Sequence, residues 1–119
     1  KADLEQVVDR ILRHINQRGP LPRWWWDGET YVPAPADVGQ CWIWTGKVDE
    51  KGYGRFRVET RVMQAHRVVW KATGRLVRTN EHLDHRCLTR NCVRPEHLEP
   101  VTPTENARRA RLSSVLGVS

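Results

Sequence analysis

At 119 residues the chain has room for one domain and a short appendage, and its 39% hydrophobic and 29% charged residues are those of an ordinary globular protein. No run of about 18 apolar residues occurs, which excludes a membrane-spanning helix, and the first residues lack the apolar stretch of a secretory signal, so a cytoplasmic setting is expected. The net charge of +6 is uneven: residues 1–50 hold 6 Lys/Arg against 8 Asp/Glu, whereas residues 51–119 hold 14 against 6. The cations of that second half are mostly arginine, whose planar fork suits phosphate. They point to a polyanionic partner, although a merely solvated basic surface has the same composition.

The spacing of Leu4, Val7, Val8, Ile11, Leu12 and Ile15 predicts an amphipathic helix over residues 3–18. Asp3 is its expected N-cap, and Gly19-Pro20 its stop. The stripe must bury itself on the core or on a partner, a second copy of the chain included; core packing is the commoner outcome. Residues 1–18 are therefore read as an N-terminal helix, and residues 19–40, with Pro20, Pro22, Pro33 and Pro35, as an irregular connector. Within that connector, Trp24-Trp25-Trp26 cannot all face one side of an element. Packing is favoured for them over stacking on unpaired bases.

From Cys41 the pattern changes to aromatic and β-branched residues. Cys41–Thr45 and Tyr53–Val58 predict an antiparallel hairpin, with Arg55 and Arg57 on one face and Phe56 and Val58 on the other. Residues 65–73 predict a short helix ended by Gly74, and a second hairpin surrounds Leu83-Asp84-His85. Thr102-Pro103-Thr104-Glu105 combines a capping box with proline at the first helical position, so a helix starts there. It carries Asn106 in its first turn, then Arg108, Arg109 and Arg111. The folded domain is taken as 41–112 and residues 113–119 as a frayed tail.

Three cysteines are an odd number and cannot all pair internally. Cys87, Cys92 and His97 are spaced five residues apart, and with Cys41 they make three thiolates and one imidazole, a complete tetrahedral set for structural zinc. The bland alternative is three buried thiols and a surface histidine. His85 lies two residues before Cys87, so such a knot would fix its backbone. An imidazole of pKa about 6.5 suits removal of a proton from water. Asp84 and Asn106 offer hard oxygen ligands that suit magnesium better than zinc.

The series Asp84-His85, Cys87, Cys92, Pro95-Glu96-His97-Leu98 and Glu105-Asn106, preceded by Ala65-His66-Arg67, resembles the HNH endonucleases of phages and the zinc-containing His-Cys box homing endonucleases. Both belong to the ββα-metal, or His-Me finger, group. The resemblance covers roughly residues 41–106 and implies a small α+β, zinc-stabilised ββα-metal domain that hydrolyses DNA phosphodiesters. It implies His85 as general base, Asp84 and Asn106 as ligands of a catalytic Mg2+ or Mn2+, and Cys41, Cys87, Cys92 and His97 as zinc ligands. In plainer relatives the position of His97 binds the catalytic metal instead. Arg55, Arg57, Arg86 and Arg108 are the arginines expected to hold the DNA backbone, and a phage origin would place the protein in the host cytoplasm. One departure stands out: relatives commonly read Val-Asn-Pro where this chain has Val93-Arg94-Pro95, so the family's asparagine brace beside the base is lacking. Asn91 is the nearest amide that can replace it. A non-catalytic zinc DNA-binding module remains the competing reading. His66 is taken as structural, with a DNA contact as the alternative, and His14 and His82 have no evident role.

Overall fold

The computed structural model describes residues 4–118. They form an α+β fold of three α-helices and four two-stranded antiparallel ladders. The first helix, α1, covers Leu4–Leu12, and its expected cap Asp3 lies outside the described residues. The predicted helix over 3–18 is too long. The chain leaves helical geometry at residues 13–14 and forms a short strand, β1 (Ile15–Asn16), whose Ile15 pairs with Trp44 of β4 (Ile43–Trp44). Ile15 keeps helical spacing, but it is β-branched, and a strand partner from residue 44 outweighs local periodicity. The stripe is buried inside the protein: Val7 and Ile11 pack with Trp44, Phe56, Val68, Val69 and Val93, while Leu12 stays 48% exposed.

The proline-rich stretch is more regular than expected. Strands β2 (Trp24–Trp26) and β3 (Tyr31–Pro33) form a hairpin, turned by the Asp27 carboxylate, which accepts hydrogen bonds from the Glu29 and Thr30 amides. Trp25 and Trp26 are buried and Trp24 half-buried, so packing accounts for the tryptophan run.

The hairpin predicted between 41–45 and 53–58 is also corrected. Strand β5 (Arg55–Val58) pairs with β6 (Arg61–Gln64) around Glu59-Thr60, whereas β4 pairs with β1. An isolated bridge joins Gly54 to Val48, which lies beyond the first predicted arm. Both stretches are strands, but alternation specifies a strand without naming its partner. The facing assigned to β5 holds, with Arg55 and Arg57 exposed and Phe56 buried. Helix α2 (Ala65–Ala72) follows at once and buries Ala65, His66, Val68, Val69 and Trp70.

Strands β7 (His82–His85) and β8 (Leu98–Val101) pair in register, with Asp84 opposite Glu99 and His85 opposite Leu98. Helix α3 (Pro103–Leu116) follows directly, capped by the Thr102 hydroxyl, which accepts from the Glu105 amide at 3.1 Å. This β7–β8–α3 unit carries Asp84, His85 and Asn106. The expected frayed tail is instead helical to Leu116. Gly117 closes the helix at φ 70°, in the left-handed region glycine tolerates, and Val118 is buried with Trp26 and Tyr31. No helix among the described residues is long and apolar enough to cross a membrane.

Candidate active site

The loop between β7 and β8 carries two cysteines and returns through a short 3-10 turn, Pro95–His97. Backbone bonds hold it against β4: the Trp44 amide donates to the Asn91 carbonyl at 2.8 Å and the Val93 amide to the Trp42 carbonyl at 2.8 Å. Ile43 and Cys92 form a bridge, which brings Cys41 from about fifty residues upstream to the same place. The sulfur and nitrogen atoms of Cys41, Cys87, Cys92 and His97 lie within 4.8 Å of one another, and all four residues are buried.

His97 Nδ1 is 3.6 Å from Cys41 Sγ and 3.6 Å from Cys92 Sγ. A tetrahedral zinc with bonds of about 2.3 Å to sulfur and about 2.0 Å to nitrogen requires about 3.5 Å between them. On the far side of the ring, His97 Nε2–H donates to the Val38 carbonyl at 2.8 Å. That bond fixes the tautomer and leaves Nδ1 for a metal, an arrangement common among metal-binding histidines. Trp25 meets the ring edge-on at 5.1 Å between centroids. The donor set and its spacing fit structural zinc.

His85 stands beside this knot, 5% exposed, and its Nε2–H donates to the Cys92 carbonyl at 2.9 Å. A residue of the cysteine–histidine cluster thus holds the imidazole by its backbone. Burial is the main cause that lowers the pKa of His85, to about 4, against the upward pull of the Cys92 carbonyl. The ring is therefore neutral at pH 7 and keeps an unprotonated nitrogen, Nδ1.

A cleft of about 630 Å³ is lined by His85, Asp84 and Asn106 together, with Tyr53, Arg90 and Asn91 on its walls. A smaller cavity of about 140 Å³ shares those three residues and adds His66. The β7–β8–α3 geometry thus places the proposed base and both proposed oxygen ligands around one space. Burial pushes the Asp84 carboxyl up, while Arg109, at 3.1 Å from its Oδ2, pulls it down.

Two residues near the centre fall outside the site expected from the sequence. His66 is 2% exposed, its ring centroid is 4.6 Å from that of His85, and its Nδ1 has no hydrogen-bond partner. Burial is the main cause lowering its pKa to about 3. Arg109 is also buried, beneath Trp26. Its position three residues after Asn106, on the same helix face, is a signal legible in the sequence.

The four arginines assigned to DNA are dispersed. Arg55 and Arg57 line a neighbouring groove of about 340 Å³ with Arg10 and Lys47, across the 46–54 loop from His85. Arg108 is exposed on α3 and paired with Glu105 at 2.8 Å. Arg86 turns inward, where Nε and Nη2 both donate to the Trp26 carbonyl at 3.1 and 2.7 Å. Arg94, at the family's asparagine position, reaches the Gln40 carbonyl at 2.8 Å and so ties the knot loop to the residue before Cys41. The backbone bonds of Asn91 and Val93 hold the same loop against residues 42–44.

Residues 63–108 match the family model described as HNH endonuclease, which bears out the resemblance read from the sequence. The chain is also similar to "Protein 7.7" of Escherichia phage T7, with 36% identity over 67 residues, or 56% of this chain and 52% of the phage protein. It therefore spans about half the length of that curated relative. No solved structure matches the chain.

Proposed function

We propose that this chain, whose residues 63–108 match the HNH endonucleases, is a metal-dependent endonuclease that hydrolyses DNA phosphodiester bonds. The observation that carries the reading is the shared cleft: His85, fastened to the Cys92 carbonyl, faces the same space as Asp84 and Asn106. With Nε2 engaged as a donor, His85 has Nδ1 to take a proton from water. That water attacks phosphorus in line, the P–O3′ bond breaks, the 3′ oxygen takes a proton from solvent water, and the products carry 5′-phosphate and 3′-hydroxyl ends. Asp84 and Asn106 would hold Mg2+ or Mn2+, which would supply positive charge to the phosphate group under attack. Cys41, Cys87, Cys92 and His97 would hold structural zinc, which would fix the loop whose Cys92 carbonyl accepts from His85. Arg55, Arg57 and Arg108 hold the DNA backbone, with Arg10 and Lys47 extending the basic groove. Arg86, with its donors turned inward, contributes by fixing the tryptophan hairpin. A phage-borne protein of this kind acts in the host cytoplasm, a setting supported by the phage relative.

The second reading, a non-catalytic zinc-stabilised DNA-binding module, draws on Arg94 in place of asparagine and on the pairing of Asp84 with Arg109. Incubating supercoiled plasmid with wild type and His85→Ala, with and without Mg2+ or Mn2+, separates the two. Metal-dependent nicking or linearisation by wild type, reduced about 10²–10⁴-fold in the variant with DNA binding retained, is the expected result. Equal cleavage by both removes His85 as base; binding without cleavage by either supports the module.

A further inference from the structure

Arg109 lies on the cleft wall, yet its charge is fully engaged within the protein. Its guanidinium contacts three carboxylates: Asp84 at 3.1 Å, Glu99 at 2.7 Å and Glu105 at 2.8 Å. The side chain is 6% exposed, with Trp26 at 4.5 Å from the guanidinium carbon. A DNA phosphate would be a fourth anion around one cation, so Arg109 is unsuited to a backbone contact despite its place in an arginine-rich helix.

The three carboxylates come from three elements. Asp84 on β7 and Glu99 on β8 face one another across the ladder, where like charges repel. Glu105 lies in the first turn of α3, one residue before Asn106. The guanidinium fork therefore ties both strands to the helix that carries Asn106, and it engages Oδ2 of Asp84.

We infer that Arg109 is a positioning residue for the divalent ion: by holding Oδ2 of Asp84 and tying β7 and β8 to α3, it orients the Asp84 carboxylate toward Asn106. This inference rests on the endonuclease reading, because it acts through Asp84 and Asn106.

The test is Mn2+ binding to the zinc-loaded full chain, followed by calorimetry and by the loss of the free-ion electron-spin resonance signal. Wild type is compared with Arg109→Gln, Arg109→Lys, Asp84→Asn and the double variant Asp84→Asn/Arg109→Gln, with thermal melts confirming that each is folded. Arg109→Gln is expected to weaken Mn2+ binding by about 10–100-fold, the usual effect of losing a group that orients a metal ligand. In the Asp84→Asn background the same change is expected to do nothing more, because the two residues act as one unit. A merely structural salt bridge would lower the melting temperature and leave Mn2+ affinity unchanged. Affinity within twofold of wild type in folded Arg109→Gln overturns the inference. Should that variant fail to fold, Arg109→Lys decides the question in the same way, since lysine keeps the charge but loses the fork. If wild type and Asp84→Asn bind Mn2+ equally, the divalent-ion reading falls and the inference with it. If Asp84→Asn loses binding while the Arg109 variants keep it, only the inference falls.

Discussion

Replacing Cys92 by serine removes one of four clustered donors and puts a hydroxyl where the residue is completely buried. Zinc at a structural site contributes about 10–16 kcal/mol to the folding of small domains. A chain of this length is stable by roughly 6–18 kcal/mol in total. Losing even a third of the zinc contribution costs about 3–5 kcal/mol. At roughly 4 °C per kcal/mol for a domain of this size, the melting temperature falls by about 12–20 °C. Tryptophan fluorescence is a suitable monitor, because Trp25 packs directly on His97. The melt is followed for both proteins with and without a chelator, alongside zinc content by mass spectrometry. Wild type is expected to hold one zinc and to lose stability on chelation, whereas Cys92→Ser holds less zinc and responds little to the chelator. The Cys92 carbonyl also accepts from His85, so cleavage should decline at temperatures where the variant is still mostly folded. Equal zinc content and coincident melting curves for both proteins would show that the four residues are ordinary buried side chains.

Acid stability supplies a second test. The folded protein holds His66 well below its usual value, at about 3 against about 6.5 when unfolded, because burial disfavours the charged ring. The unfolded chain therefore takes up protons first, so stability is full above about pH 6.5 and falls as the pH drops toward 3. His66→Gln is expected to flatten that decline between pH 7.5 and 5 in denaturant titrations; an unchanged difference between the two pH values refutes the assignment. On the surface, Arg55→Ala and Arg57→Ala are each expected to weaken duplex binding and to lower the log–log salt slope by about 0.9 for each phosphate no longer neutralised. A slope unchanged in the double variant rules out the groove beside Lys47 as a path for DNA.

How much of this was legible in advance depended on how local the signal was. The α3 start was clear because a cap, a proline and a glutamate sit within four residues, and their effect is confined to those residues. The metal cluster was legible for a chemical reason, since three thiols and an imidazole have few other uses together. Strand partners were not: Ile43 and Trp44 look like half of a hairpin with residues 53–58, but their ladder runs to Ile15 and Asn16. Pairing is decided by long-range packing, which alternation along the chain does not encode. The tail misled for the same reason, because Val118 is ordered by Trp26 and Tyr31, which lie far upstream. At the site, His85 and Asn106 carried recognisable neighbours. His66 did not, since its place rests on a ring contact, and Arg109 showed only its position on the helix face of Asn106, because its carboxylates come from three separate elements.

Bringing Cys41 beside Cys87 closes a loop that includes the β5–β6 ribbon. Such closure depends on length only logarithmically, at about 0.6 kcal/mol for each doubling of the segment. Changes at the Glu59-Thr60 tip therefore add little to the cost of assembling the cysteine–histidine cluster, however much they alter the outer surface. A lineage carrying this scaffold is free to vary that tip, in length or in charge, while His85 stays where it is.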